Sequence, residues 1–249
     1  TDSDDAKKTA LLAADCLMER FHTVGGFIQA WGPLNEPDSY RLIIDCLLNI
    51  PLLYWATEVT GDDKYRKAAI THLHTTMNVI VREDGSTFHT YFFNIETGAP
   101  LRGTTHQGYA DDSCWARGQA WGIYGLALSY HYTKDESILP LWEKVTDYFI
   151  AHLPSDSVPY WDLIFHDGSN EPRDTSATAI AICGIWEMEK YFNHPDYKKV
   201  ADEMMESLKK NYTTDRLPSS NGLLTEAMYN RNGGDEPECN IWGDYFYME

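Results

Sequence analysis

The chain has 249 residues, 43% hydrophobic, 23% charged and 13% aromatic, a size and composition that suit one large globular domain or two small ones. Acidic residues outnumber basic ones, 38 to 20, for a net charge of −18; this excludes nucleic acid or an anionic membrane surface as the natural partner. No run of residues is long and apolar enough to span a membrane, and the opening TDSDDAKKTA has neither an initiator Met nor the basic and apolar regions of a leader, so either a leader has been removed or the start is missing.

The first predicted element is an amphipathic helix from Asp2 to His22, with Asp caps and Leu11, Ala14, Leu17, Met18 and Phe21 on one face. A Gly/Pro-rich stretch follows, with Phe27 and Trp31 as exposed aromatics. Ser39 to Val59 (SYRLIIDCLLNIPLLYWATEV) is apolar on nearly every helical face and predicts a fully buried helix. Pro51 is expected to kink it. TGDD at 60–63 then turns the chain into an amphipathic helix over Lys64–Arg82. A long irregular segment comes next, with a short hairpin in FHTYFFN that turns at ETG.

The order then recurs. Cys114–Thr133 is a second apolar helix with Ile138–Leu153 as its amphipathic partner, and Ala177–Phe192 is a third, partnered by Tyr197–Tyr212. NIWGDYFYME begins a fourth. Apolar helices inside and amphipathic ones outside define an all-α class, an α/α toroid treated as one catalytic domain over 1–249. Its long aromatic loops gather at one end and form the pocket. Six hairpins would need twelve helices against about eight predicted, so the sequence is expected to be a central segment of a longer protein.

Asp45 lies inside the most apolar stretch. A carboxylate there must be paired, hydrogen-bonded or protonated; beside a cavity, such a group is a general acid with its pKa lifted toward working pH. The alternative is an Asp bonded to a neighbouring helix end or a Tyr. A second cluster comprises His89, then His106 and Gln107, then Trp115, Arg117, Gln119 and Trp121. Indole faces stack on pyranose rings and an Arg forks onto a carboxylate; the competing reading is core packing, with Arg117 tied to Asp111 or Asp112. EPRDTSA reads as a helix cap with an Arg173–Asp174 pair, His166 as loop packing, and Trp242 and Asp244 as wall residues. Cys16, Cys46, Cys114, Cys183 and Cys239 are scattered and predict buried free thiols, hence a reducing compartment, cytoplasmic rather than periplasmic. No phosphate loop, GxSxG, HExxH or dinucleotide fingerprint occurs. Nothing calls for a metal or cofactor, and His89 and His106 fit no usual metal spacing.

Taken together, IIDCLLNIPLLYWATEVTGDDKY, STFHTYFFN, THQGYADDSCWARGQAWGIYGLAL and PRDTSATAIA resemble the unsaturated glucuronyl hydrolases of glycoside hydrolase family 88, and the likeness runs over nearly the whole chain. The resemblance implies an (α/α)6 barrel that removes 4,5-unsaturated uronic acid from small oligosaccharides left by polysaccharide lyases. It implies Asp45 as general acid/base and His89 and Gln107 beside the reacting C4–C5 bond. It further implies Trp115, Arg117 and Trp121 as substrate contacts, and Trp31 as an aromatic of the pocket wall. The family's second important Asp would precede this chain. Asp235, Glu236 and Glu238 stand where relatives that accept sulfated disaccharides tend to show Ser and Lys, and lead to an expected preference for unsulfated substrates. Alternatives are an unsaturated rhamnogalacturonyl hydrolase and a non-catalytic glycan-binding toroid.

Overall fold

A computed structural model describes residues 3–217 and 219–249. Helix α1 (Asp4–Met18) starts where the Ser3 hydroxyl accepts from the Ala6 N–H; the Asp2 start expected above lies outside the described residues. The remaining helices are α2 (Pro51–Thr60), α3 (Asp63–Val79), α4 (Ala116–Thr133), α5 (Leu139–Ala151), α6 (Thr175–Glu189), α7 (Pro195–Ser207) and α8 (Ile241–Met248). Asp62 caps α3 through the Lys64 N–H, and Gly61, at φ 73°, supplies the left-handed residue that ends α2.

Helices α4 and α6 are buried along almost their whole length, whereas α7 buries only Ala201 and Met204. The layers therefore sort as the composition predicts: α4 and α6 pack side by side inside, α8 packs against α6 with only Gly243 buried, and α3, α5 and α7 lie outside against α2, α4 and α6. This is an α/α toroid, built here from successive helical hairpins. Glycines set the inner spacing. A Cβ on Gly184 of α6 would meet the Tyr124 backbone of α4 at 2.7 Å, and one on Gly125 would meet Leu47 Cβ at 2.3 Å.

The helix expected over Ser39–Val59 is instead three elements. Strand β3 (Arg41–Ile43) comes first, then a 3₁₀ turn (Ile44–Leu48), then α2. Pro51 begins a helix rather than kinking one: at the first position its missing N–H would have had no partner anyway. The uninterrupted apolar run is explained by burial on all sides, which looks the same for a strand and a helix. Two further two-residue strands, β1 (Phe21–His22) and β2 (Phe27–Ile28), pair with each other. Phe27 is fully buried against Phe93 and Tyr40, not exposed. The expected hairpin is present as β4 (Thr90–Phe93) and β5 (Pro100–Thr104), and β3 joins it to make an antiparallel sheet of order β3-β4-β5. That third strand places Asp45, two residues past its end, beside His89, just before β4.

Candidate active site

Trp31, Asp45, His89, Gln107, Trp115, Arg117 and Trp121 all line one cavity of about 410 Å³, together with Ile43, His106, Tyr229 and Trp242. Arg117 and Trp121 reach it from one face of α4, being four residues apart, and Trp115 sits immediately before that helix. His89, His106 and Gln107 come from the ends of the β4–β5 hairpin, Tyr229 from the segment leading into α8 and Trp242 from the first turn of α8.

Four buried polar atoms without a hydrogen-bond partner belong to this lining: Asp45 Oδ2, His89 Nε2, Trp121 Nε1 and Trp242 Nε1. Unpartnered buried polar groups are costly, and their convergence on one space marks where a ligand's polar groups belong. Asp45 is oriented accordingly. Its Oδ2 is buried while 32% of the side chain stays open to the cavity. Burial pushes its carboxyl up to about 6, against the downward pull of the Arg117 guanidinium and a weaker one from the Trp121 indole N–H, which falls short of hydrogen-bond geometry.

His89 stands 3.9 Å from Asp45, Nε2 to Oδ2. Its Nδ1 accepts from the backbone N–H groups of His106 and Gln107, at 3.1 and 3.2 Å. An atom that accepts twice carries no proton, so the ring is held as the tautomer with its hydrogen on Nε2, facing the carboxyl. Burial, then His106, Arg117 and Arg41, hold its pKa down at about 3. His89 is therefore a neutral donor. Trp115 lies against it, the ring planes tilted by 36° with 4.3 Å between centroids.

Arg117 is tied to neither Asp111 nor Asp112. Its Nη1 donates to Asp174 Oδ2 at 2.6 Å and to the Met228 carbonyl at 2.7 Å, and its Nη2 to the Tyr229 carbonyl at 2.8 Å. At least three of its five N–H groups are thus committed to the protein, so the free two-pronged fork expected from the sequence is partly consumed. The pair expected between Arg173 and Asp174 does not form either: Arg173 lies 3.3 Å from Asp156, while Asp174 caps α6 through the Ser176 and Ala177 N–H groups. Gln107 Nε2 also donates to the Tyr229 carbonyl, at 2.8 Å. Trp242 is a wall residue as expected. Asp244 is not: its Oδ1 holds the Leu223 and Leu224 N–H groups. His166 packs over His152 in the loop layer. Among the thiols Cys46, Cys114 and Cys183 are buried, Cys239 is half-buried and Cys16 is exposed, contrary to the expectation for all five.

Tyr229 escaped the sequence reading because it lies in an irregular segment, and its carbonyl is held at the cavity by Gln107 and Arg117, 122 and 112 positions earlier in the chain. Asp235, Glu236 and Glu238 do not line the cavity, and Glu236 is engaged by Arg231 at 3.3 Å. Among the described residues no cluster of three or more His, Cys, Asp or Glu could hold a metal ion, and no helix is long and apolar enough to cross a membrane.

The chain matches the model of Glycosyl Hydrolase Family 88 over residues 1–248. It is 52% identical over 250 residues to the unsaturated chondroitin disaccharide hydrolase of Streptococcus agalactiae serotype III (strain NEM316), covering 98% of this chain and 63% of that protein. It is 41% identical over 253 residues to the unsaturated glucuronyl hydrolase of Bacillus sp. (strain GL1), covering 99% of this chain and 67% of that protein. The crystal structure of the unsaturated glucuronyl hydrolase from Streptococcus agalactiae matches with a TM-score of 0.96 at 52% identity, over 99% of this chain and 64% of that one. An unsaturated glucuronyl hydrolase specific for heparin matches with a TM-score of 0.91 at 31% identity, over 100% and 68%. This chain thus spans somewhat under two thirds of the length of the first of these relatives. With a family match along practically its whole length and with that cavity, the chain belongs to glycosyl hydrolase family 88.

Proposed function

We propose that the complete protein is a glycoside hydrolase that releases 4,5-unsaturated glucuronic acid from lyase-generated oligosaccharides of the glycosaminoglycan type. It would do so by hydrating the C4=C5 vinyl ether. The observation that carries this reading is Asp45: a carboxyl of raised pKa, with Oδ2 unpartnered, open to an aromatic-walled cavity and facing a neutral histidine. Relatives support the substrate class. A variant of the Streptococcus agalactiae enzyme was solved complexed with dGlcA-GalNAc6S, and another unsaturated glucuronyl hydrolase with dGlcA-Glc-Rha-Glc.

The unsaturated sugar is an enol ether whose ring oxygen pushes electron density onto C4. Protonated Asp45 delivers its proton to C4, and the positive charge that develops is shared between C5 and the ring oxygen. Water adds at C5 and returns its proton to the Asp45 carboxylate. The resulting hemiketal opens to a ketone at C5, and the hemiacetal left at C1 then expels the second sugar. His89 Nε2–H orients the carboxyl and the incoming water. Trp115, Trp121 and Trp31 offer apolar faces to the sugar rings. Arg117 supplies positive charge toward the substrate carboxylate, and Gln107 a polar edge. The charge to be stabilised arises inside a partly enclosed cavity, where fixed dipoles act most strongly.

The test is loss of the C4=C5 ultraviolet absorbance by the full-length protein and its Asp45→Asn variant. The variant is expected to lose at least 10²–10⁴-fold in kcat, the usual worth of a positioned acid, with substrate binding still measurable. Near wild-type turnover by Asp45→Asn would remove the assignment.

A further inference from the structure

The cavity does not end at Asp45; one face of the β3-β4-β5 sheet continues its wall outward. Directly paired residues put their side chains on the same face, so the register aligns two rows. Ile43, Thr90 and Thr104 form the inner row, where Ile43 lines the cavity and the two Thr hydroxyls lie 2.7 Å apart. Arg41, Phe92 and Arg102 form the next row, two residues or about 7 Å further along the strands. Both guanidiniums rest on the Phe92 ring, Arg41 at 4.9 Å and Arg102 at 4.6 Å. Arg41 also covers the indole of Trp31, a cavity wall, at 4.0 Å.

These two arginines differ from the others. Every other arginine whose side chain is described holds a carboxylate or a hydroxyl or carbonyl oxygen. Arg117, Arg173 and Arg231 sit in ion pairs, and Arg20, Arg66 and Arg82 donate to carbonyls. Among the described residues Arg41 and Arg102 hold none, and Arg41 Nε is buried without a partner. In a chain with 38 acidic residues and a net charge of −18, two guanidiniums left unpaired on one short row are anomalous as surface decoration. Half-burial already lowers the Arg41 pKa, and a half-buried cation with an orphaned N–H is stabilised by an anion.

We infer that Arg41, seconded by Arg102 across Phe92, forms the subsite that receives an acidic substituent, a sulfate ester or a carboxylate, on the sugar following the unsaturated one. The inference rests on the hydrolase reading above, which puts the unsaturated ring against Asp45; the next ring then runs outward over the Ile43 row, and its substituents reach the Arg41 row. Guanidinium is the group suited to several anionic oxygens at once, and its stacking on Trp31 and Phe92 pre-orients it. The acidic stretch at 235–238, the basis for expecting an unsulfated substrate, contributes nothing to the cavity lining, so the positive row decides.

The test uses the full-length enzyme and three unsaturated disaccharides differing only in the second sugar: a neutral hexosamine, its sulfate ester, and a uronic acid. Arg41→Gln is expected to raise KM about tenfold or more for at least one acidic substrate, to leave KM for the neutral one within twofold, and to leave kcat on all three near wild type. Arg102→Gln should repeat this more weakly. Whichever acidic substrate loses more identifies the group that is read. Unchanged KM values for both acidic substrates, or a fall in kcat on the neutral one, would overturn the subsite. A wild-type enzyme that consumes none of the three overturns the hydrolase reading and this inference with it, whereas turnover of the neutral disaccharide with no Arg41 effect overturns the subsite alone. Arg41 lies on a half-exposed strand face, so the variant should fold, and an unchanged Tm confirms it.

Discussion

Beneath the cavity, Arg117 and Asp174 meet at 2.6 Å with both side chains almost wholly out of water. The pair joins α4 to the start of α6, and through the Met228 and Tyr229 carbonyls Arg117 also ties down the segment that brings Tyr229 to the cavity. It sets the field felt by Asp45 as well. Arg117 pulls the Asp45 carboxyl toward ionisation, and by Coulomb's law the opposite charge of Asp174, paired with the same guanidinium, must offset part of that pull. Ordinary desolvation then dominates, holding the proton up to about pH 6.

The sign of the consequence can be worked out. An acid that must be protonated works below its pKa, so kcat/KM of the full-length enzyme should fall about tenfold per pH unit above pH 6. Asp174→Asn leaves the Arg117 charge uncompensated. That favours the Asp45 carboxylate, lowers its pKa and moves the limb to lower pH. The double variant Arg117→Met/Asp174→Asn removes both charges, and with the nearer guanidinium gone the limb should move above its wild-type position. Limbs displaced in opposite directions are not what general loosening would give. Asp174→Asn alone should also cost about 3–5 kcal/mol of stability by stranding a buried charge, measurable by urea titration.

His89 is expected to stay neutral, with its hydrogen on Nε2, from pH 8 down to pH 5. Two backbone donors occupy Nδ1, and burial keeps the pKa near 3. Nitrogen-15 spectra of the imidazole should show a proton-free Nδ1 and a protonated Nε2 that do not titrate across that range. Replacing His89 with Phe keeps a ring against Trp115 but removes the donor, and should lower kcat about 10²-fold, as loss of one preorganised donor does. A ring that gains a second proton near pH 6 would mean that His89, not Asp45, produces the activity limb.

How much of this was written in the residues differs from one part to another. The outer and inner helices were legible, because an amphipathic stripe against an all-round apolar run is a direct record of one-sided against complete burial. Six of the seven candidate side chains drew attention by their chemistry, since indoles, an imidazole, a guanidinium and a lone acid in apolar surroundings have few other uses at such density, whereas Trp31 entered only through the family resemblance; all seven line the same cavity. What stayed hidden depended on partners distant in sequence. Ile43 and Arg41 read as helix because a buried strand leaves the same apolar record. Asp174 was given to its neighbour Arg173, whereas folding brings Arg117 to it from 57 positions away. Tyr229 carries no periodic signal at all.

The close approach of α4 and α6 sets the spacing beneath the cavity, and Gly184 permits it. A Cβ there would meet Tyr124 Cα at 2.7 Å and Tyr124 N at 2.8 Å, backbone atoms that cannot rotate away, with Ile123 Cγ2 at 2.9 Å. Gly184→Ala would normally favour a helix by up to about 1 kcal/mol, but here the helices must part. The overpacking cost, about 1–3 kcal/mol, exceeds that gain, so the variant should be less stable despite its better helix propensity. At about 2–4 °C per kcal/mol for a chain of this size, calorimetry of wild type and variant resolves the sign. A variant as stable as wild type, or more so, would show that α4 and α6 do not approach as closely as their glycine contact implies. Because Arg117 and Trp121 ride on α4 and Asp174 caps α6, parting the helices should also loosen the floor of the cavity, raising KM for the unsaturated disaccharide while leaving the pH limb of Asp45 in place.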